Sequence, residues 1–199
     1  MQEYRIARKQ VPFIWEDIPL LHINKPAWGM CADGIEAAAQ LCYDKHTLYI
    51  KLSAQEAHIR AEVREPLEQP CQDSCLEFFF SPVEGDNRYF NIEINPNGLI
   101  FWGIGRNRHD LIRLYPTTPM LSPHVERFEK GWSVDYAISK ELITMFFPSF
   151  SFKPNQSMRA NFYKCGDKCV RPHYYSWNPM TCSTPDFHRP QDFGRLIFE

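Results

Sequence analysis

Short segments with alternating apolar and polar residues run through most of the chain and dictate its secondary structure. In SCLEFFFSP, the side chains of Leu76, Phe78 and Phe80 fall on one side of an extended strand, because successive side chains of a strand point to opposite faces. Similar segments lie at 47–54, 89–98, 98–105, 131–139, 159–167 and 193–199. The pattern predicts short antiparallel strands and an all-β chain.

Sixteen prolines divide the chain into these short segments, as the many turns of an all-β domain require. One segment, SKELITMFFPSF, favours a helix, because Ser139 can cap it and Pro148 ends it. The segment 33–44 contains good helix formers, but its continuation into 47–54 favours a strand of a hairpin. We predict an antiparallel, jelly-roll-like β-sandwich with one or two short helices, in a single domain over residues 1–199.

Charge and hydropathy limit the classes of partner. The chain has 22 basic and 24 acidic residues, a balance that argues against nucleic acid or an anionic membrane as the main partner. No stretch reaches the about 18 apolar residues of a membrane span. The N-terminal MQEYRIARKQVPF lacks the apolar region of a secretory signal, so we expect a cytoplasmic protein.

Two cysteine pairs with the same spacing, CQDSC at 71–75 and CGDKC at 165–169, raise the question of a four-thiolate zinc site. Residues four apart on an extended strand are separated by about 13 Å, too far to share one ion. Such a site therefore needs two folded-back knuckles that happen to meet. Reduced, buried or half-buried thiols are the favoured interpretation, and we predict no cofactor and no metal site from these residues.

Carboxylates and amides share one face of the predicted strands. Glu77, Asn91, Glu93 and Asn95 all point away from the aromatic side of their strands. A polar sheet face with aromatic walls suits a sugar, because hydroxyls need polar partners and the sugar ring stacks on an aromatic plane. The pattern fits equally well a sheet face that is simply exposed to water.

The segment 174–199 is rich in aromatic, amide and basic residues and has little periodicity. A long irregular segment before a final strand often carries function. It supplies five candidate ligand contacts: Trp177, Asn178, Phe187, His188 and Arg189.

The order of several motifs resembles a known family. DSCLEFFFSP, RYFNIEINPNG, GWSVDYAI, RANFYKCGD and SWNP…PDFHRPQDFGRLIFE follow one another as in carbohydrate-binding module family 9, and most closely as in its stand-alone bacterial relatives. The resemblance runs from about Trp28 to Glu199. It implies a jelly-roll-like sandwich with a concave sugar site, related to the heme- and sugar-binding DOMON domains.

The resemblance also implies roles for individual residues. Members attached to xylanases hold a terminal sugar between two tryptophans; Phe187 falls at the position of one, while Pro70 and Cys71 occupy the place of the other. The further positions that the resemblance assigns to the site are Glu77, Asn91, Glu93 and Lys164. Members often carry structural calcium, for which the EGDN turn at 84–87 is the candidate.

We therefore predict a non-catalytic carbohydrate-binding domain. Two alternatives stay open. The first is a heme-binding domain of the same superfamily, whose axial ligands would come from His124, His173, His188, Met158 and Met180. The second is a glycoside hydrolase or its accessory protein that uses Glu77 and Glu93 as a carboxyl pair.

Overall fold

The computed structural model describes residues 1–115 and 120–199. Within them the strands are β1 (Glu3–Arg8), β2 (Leu21–His22), β3 (Lys25–Pro26), β4 (Glu36–Tyr43), β5 (Thr47–Gln55), β6 (Cys75–Ser81), β7 (Tyr89–Ile94), β8 (Ile100–Gly105), β9 (Leu111–Arg113), β10 (His124–Phe128), β11 (Gly131–Ser139), β12 (Ser157–Cys165), β13 (Tyr174–Ser176) and β14 (Gly194–Phe198). One α-helix, α1, spans Lys140–Phe146, and the short 3-10 helices are Trp15–Asp17, Pro70–Gln72, Arg108–Asp110 and Pro190–Asp192. The all-β prediction is confirmed.

The strands form two sheets that share β1. In the front sheet the order is β1-β14-β12-β6-β7-β8-β9, and in the back sheet it is β10-β11-β5-β4-β1. Residues 3–6 of β1 pair in parallel with β14, while Ala7 and Arg8 pair in parallel with β4. The remaining pairs of both sheets are antiparallel, as the short alternating segments predict.

The main core lies between the two sheets. The front sheet contributes Phe78 and Phe162, and the back sheet contributes Leu52, Trp132 and others, all at most 2% exposed. Full burial of each such side chain contributes about 1.5–3 kcal/mol. The alternation in β6 thus correctly predicts which of its side chains enter the core.

Two local predictions from sequence are also confirmed. The Ser139 hydroxyl accepts a hydrogen bond from the backbone N–H of Leu142 at 3.1 Å and caps α1. The segment 33–44 forms β4, a strand that pairs with β5 through eight residues, rather than a helix.

The outer face of the front sheet carries a second apolar cluster. All seven residues of β6 are buried, although only every second one faces the main core. Phe79, Tyr89 and Tyr163 on this outer face pack with Phe187 and Phe193 from the irregular C-terminal segment. That segment packs on the outer face, and the cleft described next lies beside it.

Candidate functional site

Two carboxyl groups form the floor of a cleft on the outer face of the front sheet. Glu77 of β6 and Glu93 of β7 occupy directly opposite positions in the antiparallel pair, so their side chains project side by side. Their exposed fractions are only 2% and 6%. The period of two that sends Phe78 into the core sends Glu77 into the cleft.

Burial changes the proton affinity of this pair. Burial, and next the charge of Glu93, raise the pKa of Glu77 well above its usual range. Burial raises the pKa of Glu93 to about 7, although the Asn91 amide opposes this by donating to Glu93 Oε1 at 3.0 Å. Glu93 Oε2 is buried and has no hydrogen-bond partner among the described residues. The pair can therefore both donate and accept hydrogen bonds, and one of its oxygens, although covered, is left unpaired by the described residues.

Replacing Glu93 with glutamine is expected to change how stability depends on pH. The folded-state pKa of Glu93 lies above the unfolded value of 4.5, so its contribution to stability is present below 4.5 and is lost as pH rises towards about 7. In a chelator-containing buffer, Glu93→Gln should flatten this decline and stabilise the protein above pH 7. Urea unfolding at several pH values measures it. Glu126→Gln, at an exposed position of β10, should keep the wild-type profile.

Aromatic rings form one wall of the cleft. Trp28 contacts Phe187 with ring centroids 5.1 Å apart and Tyr174 with centroids 5.5 Å apart. Phe187 in turn stacks on Tyr163 at 4.0 Å. The Trp28 indole N–H donates to the carbonyl of Cys182 at 3.0 Å, which fixes the ring orientation.

The cleft encloses about 430 Å³ between this wall and the carboxyl pair. Its rim carries charged groups, among them an ion pair in which Arg108 Nε lies 3.2 Å from Asp186 Oδ1. Asp167 and His188 also line it, and the His188 Nδ1 is 2.8 Å from the Tyr89 hydroxyl. The surroundings thus combine aromatic planes, carboxyl oxygens and one guanidinium in a space of small-molecule size.

The structure brings together only some of the residues predicted for the site. Glu77, Glu93 and Phe187 line the cleft. Asn91 lies behind Glu93 and is fully buried, so it orients that carboxyl group rather than facing the cleft. Asn91 nevertheless projects from the same face of the sheet as Glu77 and Glu93, as the alternation of the strands predicts.

Lys164 lies on the opposite side of the sheet, which corrects its assignment to the site. On β12 it follows the alternation of Phe162 and points towards the interior. Its ammonium group lies 3.3 Å from Glu56 Oε2, donates to the carbonyl of Cys165 at 2.9 Å and is 2.8 Å from His173 Nε2. Lys164 is therefore part of a buried structural network.

Trp177 also lies in the main core and not in the cleft. It packs against Phe162, and a Cβ at Gly194 would be only 2.6 Å from its ring. The apolar surroundings of the front sheet, rather than a ligand, account for this tryptophan.

Asn178 and Arg189 have structural partners as well. The Asn178 amide donates to the Asp192 carbonyl at 2.8 Å, and its Oδ1 accepts from the backbone N–H of Gln2. Arg189 Nε pairs with Asp192 Oδ2 at 2.9 Å. These contacts tie the C-terminal segment to the sheet, so neither residue lines the cleft.

Sequence reasoning missed several residues that line the cleft, chiefly Trp28, Arg108, Asp167 and Tyr174. Trp28 sits in a tight loop with a φ of 57° between β3 and β4, outside any alternating segment. The one available signal was its position at the start of the family resemblance.

Several residues named as candidate calcium or heme ligands make other contacts in the structure. At the 84–87 turn both oxygens of Asp86 accept from the Arg88 guanidinium, and among the described residues no group of three metal ligands forms there. Of the histidines proposed as heme ligands, only His188 lines the cleft. His173 is engaged by Lys164, and His124 pairs with Asp135 on an exposed strand.

Among the described residues, no helix is both long and apolar enough to cross a membrane. No curated protein matches the chain in sequence. The chain is similar to a Bacteroides uniformis protein whose carbohydrate binding is a provisional assignment: the two are 25% identical with a TM-score of 0.86, over 100% of this chain and 99% of that one.

Two further structures show the same fold at lower identity. Both are a family 9 carbohydrate-binding module from Caldicellulosiruptor kristjanssonii, each 12% identical to this chain and aligned with 100% of it. The complex with glucose has a TM-score of 0.67 with 96% of that chain covered, and the complex with cellotriose has 0.68 with 94% covered. The sequence profile of carbohydrate-binding family 9 matches residues 13–198, and the chain therefore belongs to this family.

Proposed function

We propose that the chain is a non-catalytic carbohydrate-binding protein that holds a single sugar, or the end of a glycan, in the cleft. Membership of a family of binding modules supports binding rather than hydrolysis by Glu77 and Glu93. The similar modules from Caldicellulosiruptor kristjanssonii that were solved with glucose and cellotriose support the same ligand class.

One observation carries the proposal: the carboxyl group of Glu93, which has a buried oxygen left unpaired by the described residues, lines the same cleft as an aromatic wall. Glu93 Oε2 has no partner in the part of the chain that the structure describes, and an unsatisfied buried polar atom costs about 1–3 kcal/mol. A small rotation of the Glu93 side chain would turn this oxygen towards the cleft, where a sugar hydroxyl that donates to it removes that cost. The C–H face of the same sugar can pack on Trp28 or Tyr174, which are only half-buried.

The aromatic rings of the wall are inclined to one another and do not form a pair of parallel planes around the ligand. The rings of Trp28 and Phe187 are inclined by 43° and touch each other, so no sugar ring fits between them. Phe187 is only 8% exposed, whereas Trp28 and Tyr174 present more surface. The sugar therefore stacks on one side only and turns its hydroxyl edge towards the carboxyl pair.

Replacing Trp28 with alanine is expected to weaken sugar binding at least tenfold, which corresponds to about 1.4 kcal/mol. The variant removes the largest exposed ring of the wall but leaves the carboxyl pair intact. Calorimetric titration with glucose, cellotriose and a panel of other mono- and oligosaccharides measures the effect. Thermal unfolding shows whether the variant is folded.

Trp15 supplies a matched control. It packs on Phe13 and does not line the cleft, so Trp15→Ala should keep the wild-type affinity. Absence of binding by the wild-type protein to every sugar in the panel, or equal affinities of wild type and Trp28→Ala, would refute the proposed function.

A further inference from the structure

One cysteine of each C-x-x-x-C motif meets its counterpart at the cleft floor. Cys75 on β6 and Cys165 on β12 occupy directly opposite positions in the antiparallel pair. Glu77 lies two residues beyond Cys75 and therefore on the same face. The two Sγ atoms and a carboxylate oxygen of Glu77 lie within 4.8 Å of one another.

These three side chains are almost entirely buried. Their exposed fractions are 0% for Cys75, 1% for Cys165 and 2% for Glu77. The Cys165 Sγ is 2.9 Å from Glu77 Oε1. Thus two thiols and a carboxyl group converge in an interior where ionised side chains are costly unless they are paired or bind a metal.

The donor set selects for a borderline-soft ion. Thiolates favour zinc over calcium or magnesium, which prefer oxygen ligands. In a tetrahedral site with Zn–S of about 2.3 Å and Zn–O of about 2.0–2.2 Å, neighbouring ligand atoms are about 3.6–3.8 Å apart. In the structure, Cys165 Sγ and Glu77 Oε1 are 2.9 Å apart, and all three ligand atoms lie within 4.8 Å of one another. Small side-chain rotations therefore suffice to bring them to the spacing of a tetrahedral zinc site.

We propose that Cys75, Cys165 and Glu77 form a binding site for one Zn²⁺ ion, with the fourth coordination position open to the cleft. Cys165 and Glu77 line the cleft, which gives the ion a path of entry. Binding releases the protons of the two thiols, and of Glu77 where it is protonated, to solvent.

Two cysteines of the motifs are not ligands of this site. Cys169 contacts the Ser74 hydroxyl at 3.7 Å, and Ser74 in turn donates to Glu56 in the buried network of Lys164. Cys71 lines the cleft, but its thiol is not part of the convergent group. The site is therefore distinct from the four-thiolate site that the spacing of the motifs suggests.

Metal binding can be measured without any carbohydrate, so this test is independent of the proposed function. The metal-free protein is titrated with Co²⁺ as a spectroscopic substitute for zinc. We expect one equivalent to produce a thiolate-to-cobalt charge-transfer band, which one equivalent of Zn²⁺ then abolishes. Cys75→Ser and Cys165→Ser should each weaken Co²⁺ binding by at least about 100-fold, because even loss of a supporting residue costs about 10–100-fold.

Cys169→Ser is the matched control and should bind Co²⁺ like the wild type. Circular dichroism of the metal-free variants tests their folding. Cys75→Ala provides a second variant, in which a smaller apolar side chain replaces the thiol. The proposal is overturned if the wild type gives no thiolate band. It is equally overturned if Cys169→Ser weakens binding as much as Cys75→Ser.

Discussion

Replacing Lys164 with alanine is expected to lower the free energy of unfolding by about 3–5 kcal/mol. The Lys164–Glu56 ion pair is fully buried, with side-chain exposures of 0% and 2%. Glu56 keeps its bonds from the Trp132 indole N–H at 2.8 Å and the Ser74 hydroxyl at 2.9 Å, but it loses its only cationic partner among the described residues. Removing one member of a buried pair leaves an uncompensated charge. Urea unfolding measures the loss.

Two further variants separate this role from a role in ligand binding. Lys168→Ala removes an exposed lysine nearby and should change stability by less than about 0.5 kcal/mol. The double variant Lys164→Met/Glu56→Gln removes both charges and should recover much of the stability lost by Lys164→Ala. If Lys164→Met abolished sugar binding while leaving stability unchanged, the buried-network interpretation would be wrong.

Strand positions are predictable from this sequence because the sandwich has a strongly apolar core. Phe78 and Phe162 enter the core at every second position, so the period of two marks the strands and also the faces. The same rule identified Glu77 and Glu93 as residues of the outer face. It could not show that the C-terminal segment packs on this face, because that contact joins residues distant in sequence, such as Tyr163 and Phe187.

Lys164 shows where the resemblance and the alternation disagreed. In RANFYKC the alternation assigns Lys164 to the same face as Phe162, and therefore to the core. The family position assigned it to the sugar site instead. The structure follows the alternation, since Glu56 and His173 provide the polar partners that a buried ammonium group requires.

The positions of Trp28 in the cleft and of Cys75 opposite Cys165 depend on tertiary contacts and could not be predicted from the sequence. The loop that carries Trp28 is held by pairing between β3 and β13 and by the Tyr174 N–H, which donates to the carbonyl of Met30 at 2.9 Å. The opposition of Cys75 and Cys165 depends on the register between β6 and β12. Neither register nor loop pairing is encoded in a local pattern, so the spacing of the motifs alone cannot show that Cys75 and Cys165 face each other.

Phe78→Ala is expected to be as destabilising as Lys164→Ala, at about 3–5 kcal/mol. The Phe78 ring is fully buried and stacks on Phe80 and Phe162, with both centroid distances 4.6 Å. The variant removes the apolar contacts of the whole ring and leaves a cavity between the sheets. Chemical unfolding checks the magnitude. Phe128→Ala, on β10 with 47% exposure, should cost less than about 0.5 kcal/mol.

Phe78 also tests whether the two faces of β6 are independent. Its neighbour Glu77 points to the cleft, so a substitution that preserves the strand should affect the core and not the ligand site. Phe78→Leu retains part of the apolar volume and should cost less stability than Phe78→Ala while keeping the wild-type affinity for sugar. A large loss of affinity in folded Phe78→Leu would instead show that packing in the core sets the position of the carboxyl pair.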